Sequence, residues 1–337
     1  MKLVRTLLTP LLGLWLCVHA ATAAQPPATD RKVVVGYQTD ALPFQVGIAN
    51  GDYVKSSGYH IDFRRFNSGA DVMTAMASGD VQVGYVGSSP LAAAASHGLD
   101  VKAFYMTSVS GIDEALVVRN GSGIRTVADL LGKKLAAAPV STDHYQLLAL
   151  IKHQGLSEKQ VQVFAMPQPE IVAAYNRGDI DGGFVWDPAL TALKANGKVL
   201  VTSKDVADMG APTFSAWVTT GTFAQQHPAF LKAFAAVTEK YAQSFLTQKS
   251  AWTATSDNAK LLAKFLGGTA VNQAAALQNL SLLPSYSAQS SVAWLGGGQA
   301  SGVAQILKST SAFLRDNKKI SQVLPSYAAC VTPDFVK

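Results

Sequence analysis

Residues 79–95, Gly-Asp-Val-Gln-Val-Gly-Tyr-Val-Gly-Ser-Ser-Pro-Leu-Ala-Ala-Ala-Ala, read as a buried strand over Val81–Val86 that runs straight into a helix. Ser88 or Ser89 is expected as the N-cap and Pro90 as the first helical residue, where its missing N–H costs nothing. Such a start offers amide N–H groups, hydroxyls and the positive end of a dipole. A small anion there gains about 0.3–2 kcal/mol from the dipole alone. A second start of this kind, Ser141-Thr142, follows the run Leu135–Val140, so two dipole ends can face one cleft. Asp187-Pro188 repeats the capping design, with Asp187 expected to cap a helix that begins at Pro188. Trp186, at the end of a strand, is placed to supply an apolar pocket wall. Glu114 either accepts a hydrogen bond from an ammonium group or fixes a loop.

Catalytic machinery is sparse. His97, His144, His153 and His227 lack the His-X-X-X-His or Glu-X-X-His spacing of a metal site. No Gly-X-Ser-X-Gly elbow is present, and Cys330 lies far from every strand end. His144, after Ser141-Thr142-Asp143, reads either as a proton carrier or as a donor to an anion. Neither a metal nor a cofactor is expected, and Gly296-Gly297-Gly298, which no strand precedes, reads as a loop.

These residues need a scaffold of alternating strands and helices. Strands are expected at Val33–Tyr37, Ile61–Phe66, Val81–Val86 and Val101–Met106, with a helix over Ala70–Ala77. Glu114–Arg119 reads as a strand crossing into a second unit. There the cycle repeats with Leu135–Ala138, a helix at Tyr145–His153, Val161–Phe164, a helix at Ile171–Asn176, and Gly182–Val185. Ala77-Ser78-Gly79-Asp80-Val81 in one half matches Asn176-Arg177-Gly178-Asp179-Ile180 in the other, each a helix end, a C-cap glycine and an acid before the next strand. Helices are expected at Phe230–Gln248, Asn258–Leu266, Asn272–Leu280 and Ala304–Asp316, closing the first half from behind. Ligands of doubly wound sheets sit outside the carboxyl ends of the strands, which here carry Gln38 and Thr39, Asn67 and Ser68, Ser88 and Ser89, Ser141 and Thr142, and Trp186 and Asp187.

Lys2 and Arg5, the apolar run Leu7–Val18 and Ala21-Thr22-Ala23 make the three parts of a secretory signal over residues 1–23. The apolar run is shorter than the roughly 20 residues of a membrane span, so a soluble exported protein is expected. Bulky Leu16 before Cys17 argues against lipidation. With the signal removed, Cys330 is the only cysteine and no intrachain disulfide can form. Of 337 residues, 28 are basic and 22 acidic; removing Lys2 and Arg5 leaves a net charge of +4. The basic pairs are scattered without aromatic interleaving, which argues against a nucleic-acid surface.

Val35-Gly36-Tyr37-Gln38-Thr39, Ser68-Gly69-Ala70, the run Ala77–Leu91, Glu114-Ala115-Leu116-Val117-Val118, Ser141-Thr142 with His144-Tyr145, Arg177–Gly182 and Gly210-Ala211-Pro212-Thr213 together resemble the periplasmic substrate-binding proteins of ABC transporters for taurine, aliphatic sulfonates and nitrate, above all their taurine-binding branch. The resemblance implies an α/β, two-lobed periplasmic-binding-protein fold of type II, each lobe a mostly parallel sheet flanked by helices with the ligand between them. Lobe one would be residues 31–112 with 216–337, and lobe two residues 113–215. It implies a periplasmic, monomeric, non-enzymatic protein that hands a small organic anion, taurine or a related alkanesulfonate, to a permease with its ATPase. Ligand-binding residues would be Gln38, Ser68, Ser88, Ser89, Glu114, Thr142, His144, Trp186, Asp187 and Ser215. Two positions depart from the taurine pattern: Ser215 stands where that branch has Asp, and Asp187 where it has Ala. The alternative is a cleft enzyme on the same scaffold, a desulfinase or thiamine-precursor type; the relatives of that kind use a reactive cysteine or histidine, and this chain has no cleft cysteine.

Overall fold

Short β-branched runs separated by helix-forming segments give two sheets in the computed structural model, which describes residues 31–280 and 284–336. The signal segment expected at residues 1–23 lies outside the described residues. Ten strands are formed: β1 (Lys32–Tyr37), β2 (His60–Arg65), β3 (Val83–Gly87), β4 (Val101–Val109), β5 (Glu114–Arg119), β6 (Lys134–Ala137), β7 (Gln162–Ala165), β8 (Gly182–Trp186), β9 (Gly197–Thr202) and β10 (Phe214–Thr220). The first sheet has the order β2-β1-β3-β10-β4 and the second β7-β6-β8-β5-β9. In each, four strands share one direction and a single crossing strand, β10 or β5, lies antiparallel to both neighbours. This is the α/β class expected from the sequence, with one strand reversed in each sheet.

The two sheets repeat one plan. β3 and β8 are buried along their whole length, as strands covered by helices on both faces must be. The helix before β3 is Gly69–Ala77 and the one before β8 is Gln168–Arg177. Gly178 caps the second at φ +82°, as the motif required, whereas the first is capped by Ser78 and the left-handed glycine, Gly79 at φ +85°, comes one residue later.

One core fills the first sheet and its backing helices. Trp217 of β10 sits among Phe44, Tyr85 and Phe234, with ring centroids 4.7, 5.7 and 4.9 Å away. Phe234 belongs to the helix Pro228–Thr247, which packs on Pro43–Ala49 and Asp52–Ser57. The helical tail therefore backs the first half. It also reaches the front, because Ala276 and Leu280 border a cavity among the strand ends; backing alone was expected of it. The second sheet carries a separate apolar cluster on each face, one around Leu116, Leu147 and Phe184 and the other around Val117, Ile171 and Tyr175.

Two of the expected helix caps are built differently. The helix after β3 spans Ser88–Ser96, with extended Gly87 as its cap and no side chain capping it, so Pro90 is the third helical residue rather than the first. Ser88 is turned inward, its Oγ accepting from the Phe214 amide at 3.5 Å. After β8 the helix begins at Ala189, and Pro188 holds the cap position. Asp187 still serves the helix from one residue earlier, its Oδ1 accepting from the Thr191 amide at 3.0 Å and from the Thr191 hydroxyl at 2.6 Å.

Candidate functional site

A cavity of about 40 Å³ lies among the carboxyl ends of strands from both sheets. On the measure by which a single water needs about 10–15 Å³, it holds a solute of a few heavy atoms. The first sheet contributes Gln38, Asp40, Tyr85, Gly87, Ser108 and Ser215, and the second Glu114, Ser141, Thr142, Trp186 and Asp187.

One end is built from helix starts. Gly87 and Pro90 belong to the start of the Ser88–Ser96 helix, and Ser141 and Thr142 to that of the helix Thr142–His153. Ser141 caps its helix by accepting from the His144 amide at 3.0 Å. The Gly87 backbone approaches Thr142 so closely that a Cβ there would lie 2.7 Å from Thr142 Cγ2. Only glycine lets the two helix starts meet. Both present the positive ends of their dipoles, which favours a negative group between them.

The charged residues in the rest of the wall are acidic. Asp40, Asp113, Glu114 and Asp187 border the cavity, and among the described residues that border it none is Lys, Arg or His. Tyr85 Oη donates to Asp40 Oδ2 at 2.7 Å, while Asp40 Oδ1 is buried without a partner. Burial raises the Asp40 carboxyl to about 6, with the Asp187 charge adding to the effect. Thr142 Oγ1 donates to Glu114 Oε1 at 3.0 Å, and Glu114 Oε2 is buried. Burial lifts Glu114 to about 7 and the fully buried Asp143 behind it well above the usual carboxylate range. Two neighbouring carboxyls held out of water do not both carry charge, so this pair retains a proton at neutral pH.

Trp186 is held at the strand end by the Gln168 carboxamide, whose nitrogen donates to the Trp186 carbonyl at 3.1 Å and whose oxygen accepts from the Trp186 amide at 3.2 Å. Gln38 is fixed through Nε2, which donates to the Tyr85 carbonyl at 3.1 Å. Ser215 lies opposite Gly87 in the β3–β10 pairing.

Six of the ten residues singled out from the sequence border the cavity: Gln38, Glu114, Thr142, Trp186, Asp187 and Ser215. Four do not. Ser88 and Ser89 are fully buried, and the helix start reaches the cavity through Gly87 instead. Ser68 caps the helix Gly69–Ala77, accepting from the Asp71 amide at 3.2 Å and donating to the Asp71 carboxylate at 2.8 Å. His144 accepts from the Val140 amide through Nδ1 at 3.2 Å, and burial lowers its pKa to about 4; its ring lies away from the cavity wall and is neutral. Asp40, Tyr85, Ser108 and Asp113 border the cavity although the sequence did not single them out. Asp40 comes directly after Gln38-Thr39 at a strand end, and that position was the available signal.

The sequence matches the family described as NMT1/THI5 like over residues 38–249. The chain belongs to that family. Within it, the sequence is 40% identical over 306 residues to the taurine-binding periplasmic protein of Escherichia coli (strain K12), covering 90% of this chain and 92% of that one. Among solved structures, this NMT1/THI5-like chain superposes on the alkanesulfonate-binding protein SsuA from Xanthomonas axonopodis pv. citri bound to MOPS with a TM-score of 0.75 at 19% identity, covering 92% of this chain and 99% of that one. It superposes on the periplasmic aliphatic sulphonate binding protein SsuA from Escherichia coli with a TM-score of 0.70 at 21% identity, covering 87% and 95%. The fold is that of these two-lobed binding proteins.

Proposed function

We propose that the protein is an extracytoplasmic solute-binding component of an ABC importer and that its ligand is a small zwitterionic aminosulfonate, taurine in the first instance. One observation carries the choice of ligand: helix starts form one end of the cavity, four carboxyl residues stand in the remaining wall, and no cationic side chain among the described residues borders it. A sulfonate is ionised at every relevant pH and has three acceptor oxygens, which suits the first-turn amide donors of the two helix starts, after Gly87 and at Thr142. The ligand's ammonium supplies the positive charge that the wall lacks, with Asp187 and Asp40 as its partners. Ser215, where the taurine branch has Asp, leaves that work to these two. The taurine-binding relative at 40% identity supports the same reading.

The two sheets act as lobes, residues 31–112 with 214–337 and residues 113–213; the boundary expected at residue 215 moves so that all of β10 stays with the first sheet. The ligand favours the closed arrangement because both lobes touch it. A permease and its ATPase then receive it from a monomeric, periplasmic protein whose signal segment has been removed.

Calorimetry of ligand-stripped protein against taurine and ethanesulfonate tests this. Taurine is expected to bind about ten- to a hundredfold more tightly, the equivalent of a charge-assisted hydrogen bond of about 1.5–3 kcal/mol. Equal or tighter binding of ethanesulfonate overturns the zwitterion reading. Silence from both overturns the sulfonate reading.

A further inference from the structure

Beside the cavity lies a second space. A chamber of about 240 Å³ is walled by Thr39, Arg65 and Asn67 at the carboxyl ends of β1 and β2, by Pro188 and Thr191, and by the helical tail through Asn272 and Gln273. It shares Ala41, Asp187 and Ala276 with the inner cavity. The two spaces therefore adjoin at Asp187, the proposed partner of the ligand's nitrogen.

Their linings differ in charge balance. Among the described residues the inner wall holds carboxylates and no cation, whereas the chamber sets Arg65 and neutral amides beside the shared Asp187. Arg65 ends β2 and is exposed, with a hydrogen bond from Nη1 to the Leu266 carbonyl at 3.4 Å. Its neighbour Arg64 is paired with Asp62 at 2.8 Å, but among the described residues no carboxylate lies in salt-bridge range of Arg65. From inside to outside, the protein offers helix-start donors, then a carboxylate, then a guanidinium. A complementary solute reads anion, ammonium, anion.

Resting on the aminosulfonate reading, we propose that the chamber is a subsite for a substituent on the ligand's nitrogen, and that the preferred substituent ends in a carboxylate taken by Arg65. The site then accepts N-carboxyalkyl aminosulfonates as well as the parent compound. The secondary ammonium keeps its charge and two N–H donors for Asp187 and Asp40, and the substituent leaves past Ala41 and Ala276.

Calorimetry with taurine and N-(carboxymethyl)taurine, on the wild-type protein and on Arg65→Met, tests the inference. The wild type is expected to bind N-(carboxymethyl)taurine at least as tightly as taurine. Arg65→Met is expected to weaken N-(carboxymethyl)taurine about five- to tenfold and to leave taurine within twofold. Arg65→Lys, which keeps the charge without the fork, falls between. Wild-type protein that binds taurine but not the substituted compound overturns the subsite while the aminosulfonate reading stands. An Arg65→Met variant that binds the substituted compound as the wild type does overturns the role of Arg65. Silence from both ligands overturns this inference together with the reading beneath it.

Discussion

β3 and β8 hold the same place in their sheets, each third in order between a parallel neighbour and the crossing strand, yet the turns leading out of them are electrostatically opposite. After β3 the chain enters a helix at once, with a glycine as cap and no acidic side chain in the first turn. After β8 it passes through Trp186, Asp187 and Pro188 before the helix begins at Ala189. One turn presents amides and a positive dipole end; the other presents a carboxylate and an indole. A duplicated architecture thus supplies both poles of a site for a dipolar solute, and the difference rests on few residues.

The comparison breaks most sharply at Asp187. Asp187→Asn keeps an oxygen for the Thr191 amide but removes the charge. Taurine affinity is expected to fall ten- to a hundredfold, about 1.5–3 kcal/mol, with ethanesulfonate unchanged or improved; equal losses for the two ligands by calorimetry would assign Asp187 to the cap alone. Next comes Gly87→Ala. Its Cβ would press on Thr142 Cγ2, so both ligands should lose about tenfold as the helix starts separate. Unchanged titrations would show that the approach has slack.

Gly79→Ala and Gly178→Ala probe what the two halves share. Both positions have φ above +80°, and each variant is expected to lower stability by about 1 kcal/mol in urea melts, with affinity unaffected. A loss confined to one variant would mean that the two left-handed turns carry different loads.

The smallest effect is that of pH. Asp40, raised from 3.8 to about 6, holds an ammonium only when ionised, so taurine affinity should be complete above pH 7 and fall about three- to fivefold by pH 5.5. The stability of the empty protein moves the other way. Carboxyls raised in the folded state take up protons on folding, so the contribution of Asp40 and Glu114 is greatest near pH 4 and is lost as pH rises through about 6 and 7. His144, lowered from 6.5 to about 4, opposes this, losing stability as pH falls through that window. Glu114→Gln should therefore flatten the decline between pH 4.5 and 7 relative to wild type, as read by denaturant midpoints at each pH.

Much of this was legible because it is local. The Gly-Asp pairs after two helices announced the repeat, and the strand ends announced where a solute sits. Trp186 and Asp187 could be placed because a strand end fixes their direction. Asp40 could not, since its role depends on Tyr85, 45 positions further along the chain. The inward turn of Ser88 depends on the amide of Phe214, in a strand contributed from the far side of the second sheet. His144 was misdirected because a helix's first turn gives the position of a side chain but not its rotamer, and here the Val140 amide draws the ring away.

The crossing strands carry a last consequence, for the order in which the molecule can be assembled. β4 reaches β3 only through β10, so a chain emerging from its N-terminus holds the first sheet as two unjoined pieces until residues 214–220 arrive. The second sheet is drawn from one unbroken stretch, residues 114–202, and can complete its pairing before then. The half that is begun first is finished last, and a chain cut short before Phe214 leaves its first sheet in two pieces while keeping every strand of its second.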